Sequence, residues 1–436
     1  MGRPYFVRLS SMASAGETTN LRNPKDPLPF GVFALFTPDE AMPKDKPPRL
    51  KRRGLTILVC AALLCVMWGL AQAPGFVEDV YARNAGYGIA RGLGFITGFI
   101  PTSLAEICVV AAILYLLIPF CIAAVHVARR QRRILNAIAA GFFRFWAFAA
   151  LVLTFFYVSW GLNYSREPLP VRLGWKPIET PADEAEHATQ TEEIAMLAEQ
   201  LVIATNANYR EFAGDDDFGR TSFPRAGSHS LDASLDAAYE RVQKKLSLEA
   251  EFAVARAPAK PVASSMLMNY MGLGGFYFPW TGEANYNRLL PAPMLPHTVA
   301  HEKAHQRGIT SEDEANFIGF IVCISSDDAY VRYSGYLFAQ RQLLGELYSR
   351  DRGAAKKLVA MRVPGVQRDI DAIRTFWQQY EGAAEQVSRA VNDTYLKSQG
   401  VKGGVASYAA SQSLIILWAR SNGGSAVVAL PKSKPE

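Results

Sequence analysis

Three uninterrupted apolar stretches near the start of this 436-residue chain constrain its fold more than any other feature. Leu55–Ala71 carries no charge and is entered from the basic run Lys44, Lys46, Arg49, Lys51, Arg52 and Arg53. Leu104–Val127 is interrupted only by Glu106 and His126, and Trp146–Leu162 is rich in Phe and Trp, with Arg144 at its entrance. Each is long enough to cross roughly 30 Å of hydrocarbon as a helix. One such stretch could be a buried core helix, but three in close succession read as membrane spans.

Charge placement gives them a direction. Arg129, Arg130, Arg132, Arg133 and Arg144 lie between the second and third stretches, whereas the 72–103 loop holds only Arg83 and Arg91, offset by Glu78 and Asp79. Basic loops stay in the cytoplasm. The expectation is therefore a multi-pass protein of the inner (cytoplasmic) membrane, N-terminus cytoplasmic, with everything after Leu162 extracytoplasmic. The first stretch reads as an anchor, because a long polar segment precedes it and no clean cleavage site follows. Residues 163–436 hold 29 basic and 32 acidic side chains, so the net charge of +6 belongs to the first third. That leaves the large domain without the basic footprint of nucleic-acid binding.

Composition then divides the chain into a flexible basic tail (1–54), a three-helix transmembrane region (55–162), an extracytoplasmic domain (163–420) and a disordered tail (421–436). Helical spacing predicts helices near 189–212, 231–248, 296–307, 311–326, 327–350, 365–398 and 404–420. The run 271–287, MGLGGFYFPWTGEANYN, reads as strand or irregular loop. Pro168, Pro170 and Pro177 mark an extended linker, and Cys323, the one thiol beyond the spans, reads as a packed core residue.

The chemistry concentrates in His297-Thr-Val-Ala-His301-Glu302-Lys-Ala-His305-Gln-Arg-Gly308. His301 and His305, four apart on a helix, present both imidazoles to one ion, and Glu302 beside them can act on water. That is the zincin motif, and the cofactor it calls for is Zn2+. Lys303 stands where an uncharged residue is usual. A catalytic zinc needs a third protein ligand. Gly308 can end the motif helix, and Ser311-Glu312-Asp313-Glu314-Ala315-Asn316 opens the next. Glu312 is preferred as the ligand, with Asn316 on the same face supporting a ligand histidine. Glu314, in capping-box register with Ser311, and Asp313 compete. His297, one turn early, lies too far along the axis to share the ion and is expected to cap or line the cleft.

The pieces GGFYFPWTGEANYN, HTVAHEKAHQRGI, SEDEANFIGF and YLKSQGVKGGVASY, downstream of WGLNYSREPL, resemble the bacterial membrane family catalogued as domain of unknown function 3810, over roughly residues 55–420. The Glu312-x-x-Ala315-Asn316 arrangement is also similar to the glutamate helix of gluzincin-type metallopeptidases. The resemblance implies a zinc-metallopeptidase-like fold, with Glu312 as ligand and Asn316 as its supporting neighbour. Asn replaces the commoner Asp there and leaves that support uncharged.

The expected fold is a mainly α membrane protein, with three N-terminal transmembrane helices followed by a mostly helical zincin-like α+β domain. Its expected activity is zinc-dependent hydrolysis of peptide or amide bonds, with Glu302 as general base and a peptide or protein as substrate. In zincins an edge strand beside the active helix pairs with substrate, and Gly274–Pro279 is the candidate. Glu283 and Asn285 are candidate substrate contacts, and Tyr277 or Tyr286 candidate oxyanion donors, with Tyr330, Tyr333 and Tyr336 behind them; a packed aromatic loop would account for the same residues. The competing readings are an inactive scaffold on the same fold and a transporter. The presence of Glu302 argues against the first. Glu106, the only carboxylate inside a span and near its outer, solvated end, supplies little for the second.

Overall fold

The computed structural model describes residues 50–213, 228–399 and 411–428. Most of the expected basic tail and the end of the expected disordered one lie outside those residues. The three apolar stretches form α1 (Leu50–Ala71), α3 (Leu104–Ala128) and α4 (Ile134–Ser159), and α2 (Gly86–Gly98) lies between the first two. The most apolar windows of α1, α3 and α4 are 6%, 0% and 11% buried. Side chains this apolar and this uncovered need a lipid environment, so the chain is a membrane protein. α4 begins well before Trp146, because Arg144 does not end it: the guanidinium lies 5.9 Å from the centre of the Tyr115 ring on α3. The 72–103 segment is helical rather than a loop, running through a π-helical stretch at Val77–Ala85 into α2.

Beyond α4 a short helical turn, Leu169–Arg172, replaces the expected extended linker. Around it Arg166 and Arg172 pair with Glu78 and Glu249, four charges with side chains 10% exposed or less. They join the segment after α1 to the large domain. Burial alone would raise the Glu249 carboxyl, but Arg172 and Arg166 override it and hold the group at about 2. The stabilisation is therefore full above the ordinary carboxyl range and disappears as pH falls from about 4.5 towards 2. Glu249→Gln is expected to cost on the order of 3 kcal/mol at pH 7. Thermal melts of the full chain in detergent should show that difference shrinking through the same pH window.

The domain runs α5 (Glu184–Ala213), α6 (Ser228–Leu246), β1 (Lys260–Val262), α7 (Ser265–Tyr270), β2 (Gly275–Phe278) and β3 (Glu283–Asn287). It continues with α8 (Leu295–His305), α9 (Glu312–Ile324), α10 (Ala329–Arg350), α11 (Arg352–Ala360), α12 (Pro364–Gln378), α13 (Ala383–Ser398) and α14 (Ser411–Ser421). The architecture is the expected one, mostly helical with one small sheet. β3 pairs in parallel with β1 and antiparallel with β2, which leaves β2 at the edge. α9 is apolar on every face from Phe317 to Ile324 and is buried throughout that length. It closes on α8 through Gly319, where a Cβ would stand 3.2 Å from both the His297 ring and the His301 backbone nitrogen.

Three expectations change in detail. The single helix expected over 365–398 breaks before Gly382 into α12 and α13. Asn422–Val428 is not a disordered tail: Ala426 is fully buried, and Asn422 Nδ2 donates to the Ser425 and Val427 carbonyls. Glu106 keeps the solvent contact expected of it but also accepts from the Ala263 and Ser264 N–H groups, both at 2.8 Å, and so ties α3 to the start of α7.

Candidate metal centre

α8 begins with Pro296 in its first turn, where a missing N–H costs nothing, and ends at Gly308 in the left-handed region at φ +83°. Between them the i,i+4 spacing brings His301 Nε2 and His305 Nε2 to 3.1 Å. The turn after Gly308 returns the chain so that Glu312, the first residue of α9, places Oε2 3.1 Å from His301 Nε2 and 3.5 Å from His305 Nε2. Donors bonded at 2.0–2.1 Å to a tetrahedral ion stand about 3.3–3.4 Å apart. The triangle of donor atoms therefore has the edge lengths that zinc requires, and two imidazoles with one carboxylate match a catalytic rather than a closed structural set. His305 Nδ1–H donates to the Ile309 carbonyl at 2.7 Å, which fixes the ring's orientation and turns Nε2 towards His301 and Glu312.

Electrostatics follow from this crowding. Burial would lower His305, but the Glu312 carboxylate beside it prevails and holds the imidazolium up to about 9. Burial would raise Glu312; His305 and His301 instead keep it far below the usual carboxylate range.

Glu302 is buried, and its Oε2 has no hydrogen-bond partner. Its carboxylate also comes within 4.8 Å of the two imidazole nitrogens, so two carboxylates lie close to the pair. Burial pushes Glu302 up to about 7, with Glu312 adding to the rise and the histidines opposing it. β2 crosses close above. A Cβ on Gly275 would lie 2.6 Å from Glu302 Oε1 and 2.7 Å from its Cγ, so only glycine admits the strand.

The other expected residues scatter. Glu314 accepts from the Leu169 N–H at 2.6 Å, so of the two competing glutamates it is Glu312 that stands beside the imidazoles. Ser311 does not cap α9; its hydroxyl bonds Asp313 instead. His297 lines the cavity, as expected, and is held there by stacking on Phe338 at 3.8 Å and by donating from Nε2 to the Asn316 carbonyl; burial lowers its pKa to about 3. The Asn316 side chain makes no hydrogen bond to either ligand imidazole, and His301 Nδ1 is unpartnered.

Glu283 and Asn285 are fully buried and are not substrate contacts. Glu283 takes the Ala105 N–H at 3.0 Å and the Lys260 ammonium, while Asn285 accepts from Ser103 at 2.7 Å. The Tyr330 and Tyr333 hydroxyls donate to the Ala292 carbonyl and to Asp369, the Tyr336 hydroxyl accepts from the Val428 N–H, and none of the three lines the cavity over the donor triangle, so they are not placed as oxyanion donors. Tyr277 alone of the aromatic candidates lines the site, its ring 5.5 Å from Trp160. Tyr286, half-buried, does not line it.

Two residues carry roles the sequence hid. Lys303, the unusual residue of the motif, is wholly buried on the far side of α8, with Asp232 at 2.9 Å and Asp236 at 3.2 Å. Trp160, just past α4, donates from Nε1 to the His305 carbonyl at 3.0 Å and so ties the second histidine to a membrane helix. An indole at the end of an apolar span reads as an interface anchor, and nothing local marks the second job.

A cavity of about 1680 Å³ opens over the donor triangle and Glu302. It runs between β2, the end of α4 and α13.

No curated protein and no solved structure matches the chain. A family model described as "Protein of unknown function (DUF3810)" matches residues 81–416, more than three quarters of its length. The chain belongs to that family.

Proposed function

We propose that the protein is a membrane-anchored zinc-dependent hydrolase that cleaves peptide or related amide bonds. The observation that carries the reading is the donor triangle of His301, His305 and Glu312, with the partnerless Glu302 carboxylate beside it at the floor of a large cavity. Zinc held there would supply Lewis acidity, polarising the scissile carbonyl and acidifying water. Glu302 takes the proton of the attacking water at Oε2 and passes it to the nitrogen as the C–N bond breaks. Burial raises the Glu302 carboxyl above the usual carboxylate range, the direction that suits a group which must take up a proton and then release it. The free edge of β2 offers backbone N–H and C=O groups to an extended peptide.

The reading extends to topology. The N-terminus of α3 and the C-terminus of α4 meet the domain, while Arg129, Arg130, Arg132 and Arg133 lie at the opposite ends of these helices, about 37 Å away along the 25 residues of α3. The basic end goes to the cytoplasm and the domain to the outer side of the inner membrane.

The full chain in detergent micelles is expected to hydrolyse a mixed peptide library. A zinc chelator should abolish the rate, and added zinc should restore it. A folded, metal-loaded protein that leaves the library intact would favour the scaffold reading instead.

A further inference from the structure

We propose, resting on the hydrolase reading above, that the site acts on peptides carrying an acyl chain embedded in the bilayer and admits them sideways, between α4 and α13. The membrane helix itself forms one wall of the cavity. Ala149, Val152, Leu153 and Phe156 line it. Ala149 lies ten residues before the end of α4, about 15 Å down the helix and so about halfway through a hydrocarbon layer of roughly 30 Å. The hairpin between β2 and β3 reaches into the same depth, where Trp280 Nε1 donates to the Val152 carbonyl at 3.1 Å and the Trp280 ring lies 5.7 Å from Phe156.

The opposite wall is α13, which is only superficially packed. Leu396 is its one buried residue, and Val387 and Val391, each 64% exposed, line the cavity with Tyr395 one turn on. The helix is pinned to the outer end of α4 by Tyr395 to Tyr164 at 3.2 Å and Gln399 to Tyr157 at 3.1 Å. An apolar stripe turned towards a cavity whose other wall is a membrane helix suits an apolar occupant. The cavity is therefore polar at one end, where Glu302 and the donor triangle lie beside the edge of β2, and apolar at the end that opens on lipid. That polarity fits an extended peptide joined to a hydrocarbon chain.

The test uses the full chain, zinc-loaded, in nanodiscs of phosphatidylethanolamine and phosphatidylglycerol. The probes are two copies of one mixed peptide library, N-palmitoylated or N-acetylated, and a palmitoyl peptide with a diazirine in its chain. The palmitoylated library is expected to be cleaved at least tenfold faster. Diazirine cross-links are expected in 149–156 and 387–395, out of proportion to lipid-facing positions such as Leu58 and Trp68 on α1, and to be lost in Val387→Asp/Val391→Asp. Equal cleavage of the two libraries would overturn the acyl preference and leave the hydrolase reading standing. Cross-links no denser at the cavity than on α1 would overturn lateral entry whatever the rates. Cavity cross-links without cleavage of either library would uphold acyl binding and overturn hydrolysis.

Discussion

Elemental analysis of the purified full chain is expected to find about one zinc per molecule, and next to none in His301→Ala. The argument is geometric. His301 Nε2 is 3.1 Å from both other donor atoms, so removing the ring deletes one vertex of the triangle and leaves two donors on opposite sides of a gap. Loss of a mere hydrogen-bonded support costs about 10–100-fold in metal affinity; loss of a ligand is expected to exceed the upper end of that range. His301 Nδ1 has no partner, so the change breaks no hydrogen bond outside the triangle, and an unchanged far-ultraviolet spectrum should accompany the loss. A variant that folds and retains its zinc would remove His301 from the ligand set and overturn the centre.

Glu302→Gln should separate metal from turnover. The substitution keeps the shape that Gly275 accommodates and removes the oxygen that accepts a proton. A fall of about 10²- to 10⁴-fold in hydrolysis is expected, as for other positioned general bases, with zinc content unchanged. Two outcomes contradict this. Undiminished hydrolysis would exclude Glu302 as the base. Loss of zinc would show that the carboxylate within 4.8 Å of both imidazoles is a ligand, and Glu312 would then have to be reassigned.

The clustering of the candidate donors was legible because its logic is local. Four-residue spacing on a helix, a left-handed glycine and an acidic first turn place His301, His305, Glu302 and Glu312 within a dozen residues of one another, and short-range geometry does the rest. The three spans were legible for the same reason. Glu283 and Asn285 were misread because their partners lie far away in sequence: Ala105 is 178 residues from Glu283, and Ser103 is 182 residues from Asn285. A buried polar residue on a glycine-rich hairpin carries no mark saying whether it faces a substrate or another part of the fold. Lys303 misled in the opposite direction. It weakened the motif on paper, yet its charge is neutralised by Asp232 and Asp236 on a helix that begins some seventy residues earlier.

The Glu283 carboxylate has a practical corollary for anyone who wishes to excise the large domain as a soluble fragment. It supplies the end of α3 with the acceptor that the first free N–H groups of a helix require. Cutting the chain after the third span would strip that carboxylate of two backbone donors and would take away the Ser103 hydroxyl that Asn285 accepts from and the Thr97 carbonyl that receives the Lys260 ammonium. The Trp160 indole that holds the His305 carbonyl would go with them. Buried polar groups orphaned in this way cost about 1–3 kcal/mol each, more where charged, enough together to consume much of a domain's margin. The lipid-embedded helices are thus structural members of the enzyme-like half rather than a tether. A water-soluble version would call for redesign of the exposed seam, with Glu283, Lys260 and Asn285 replaced together, rather than a simple truncation.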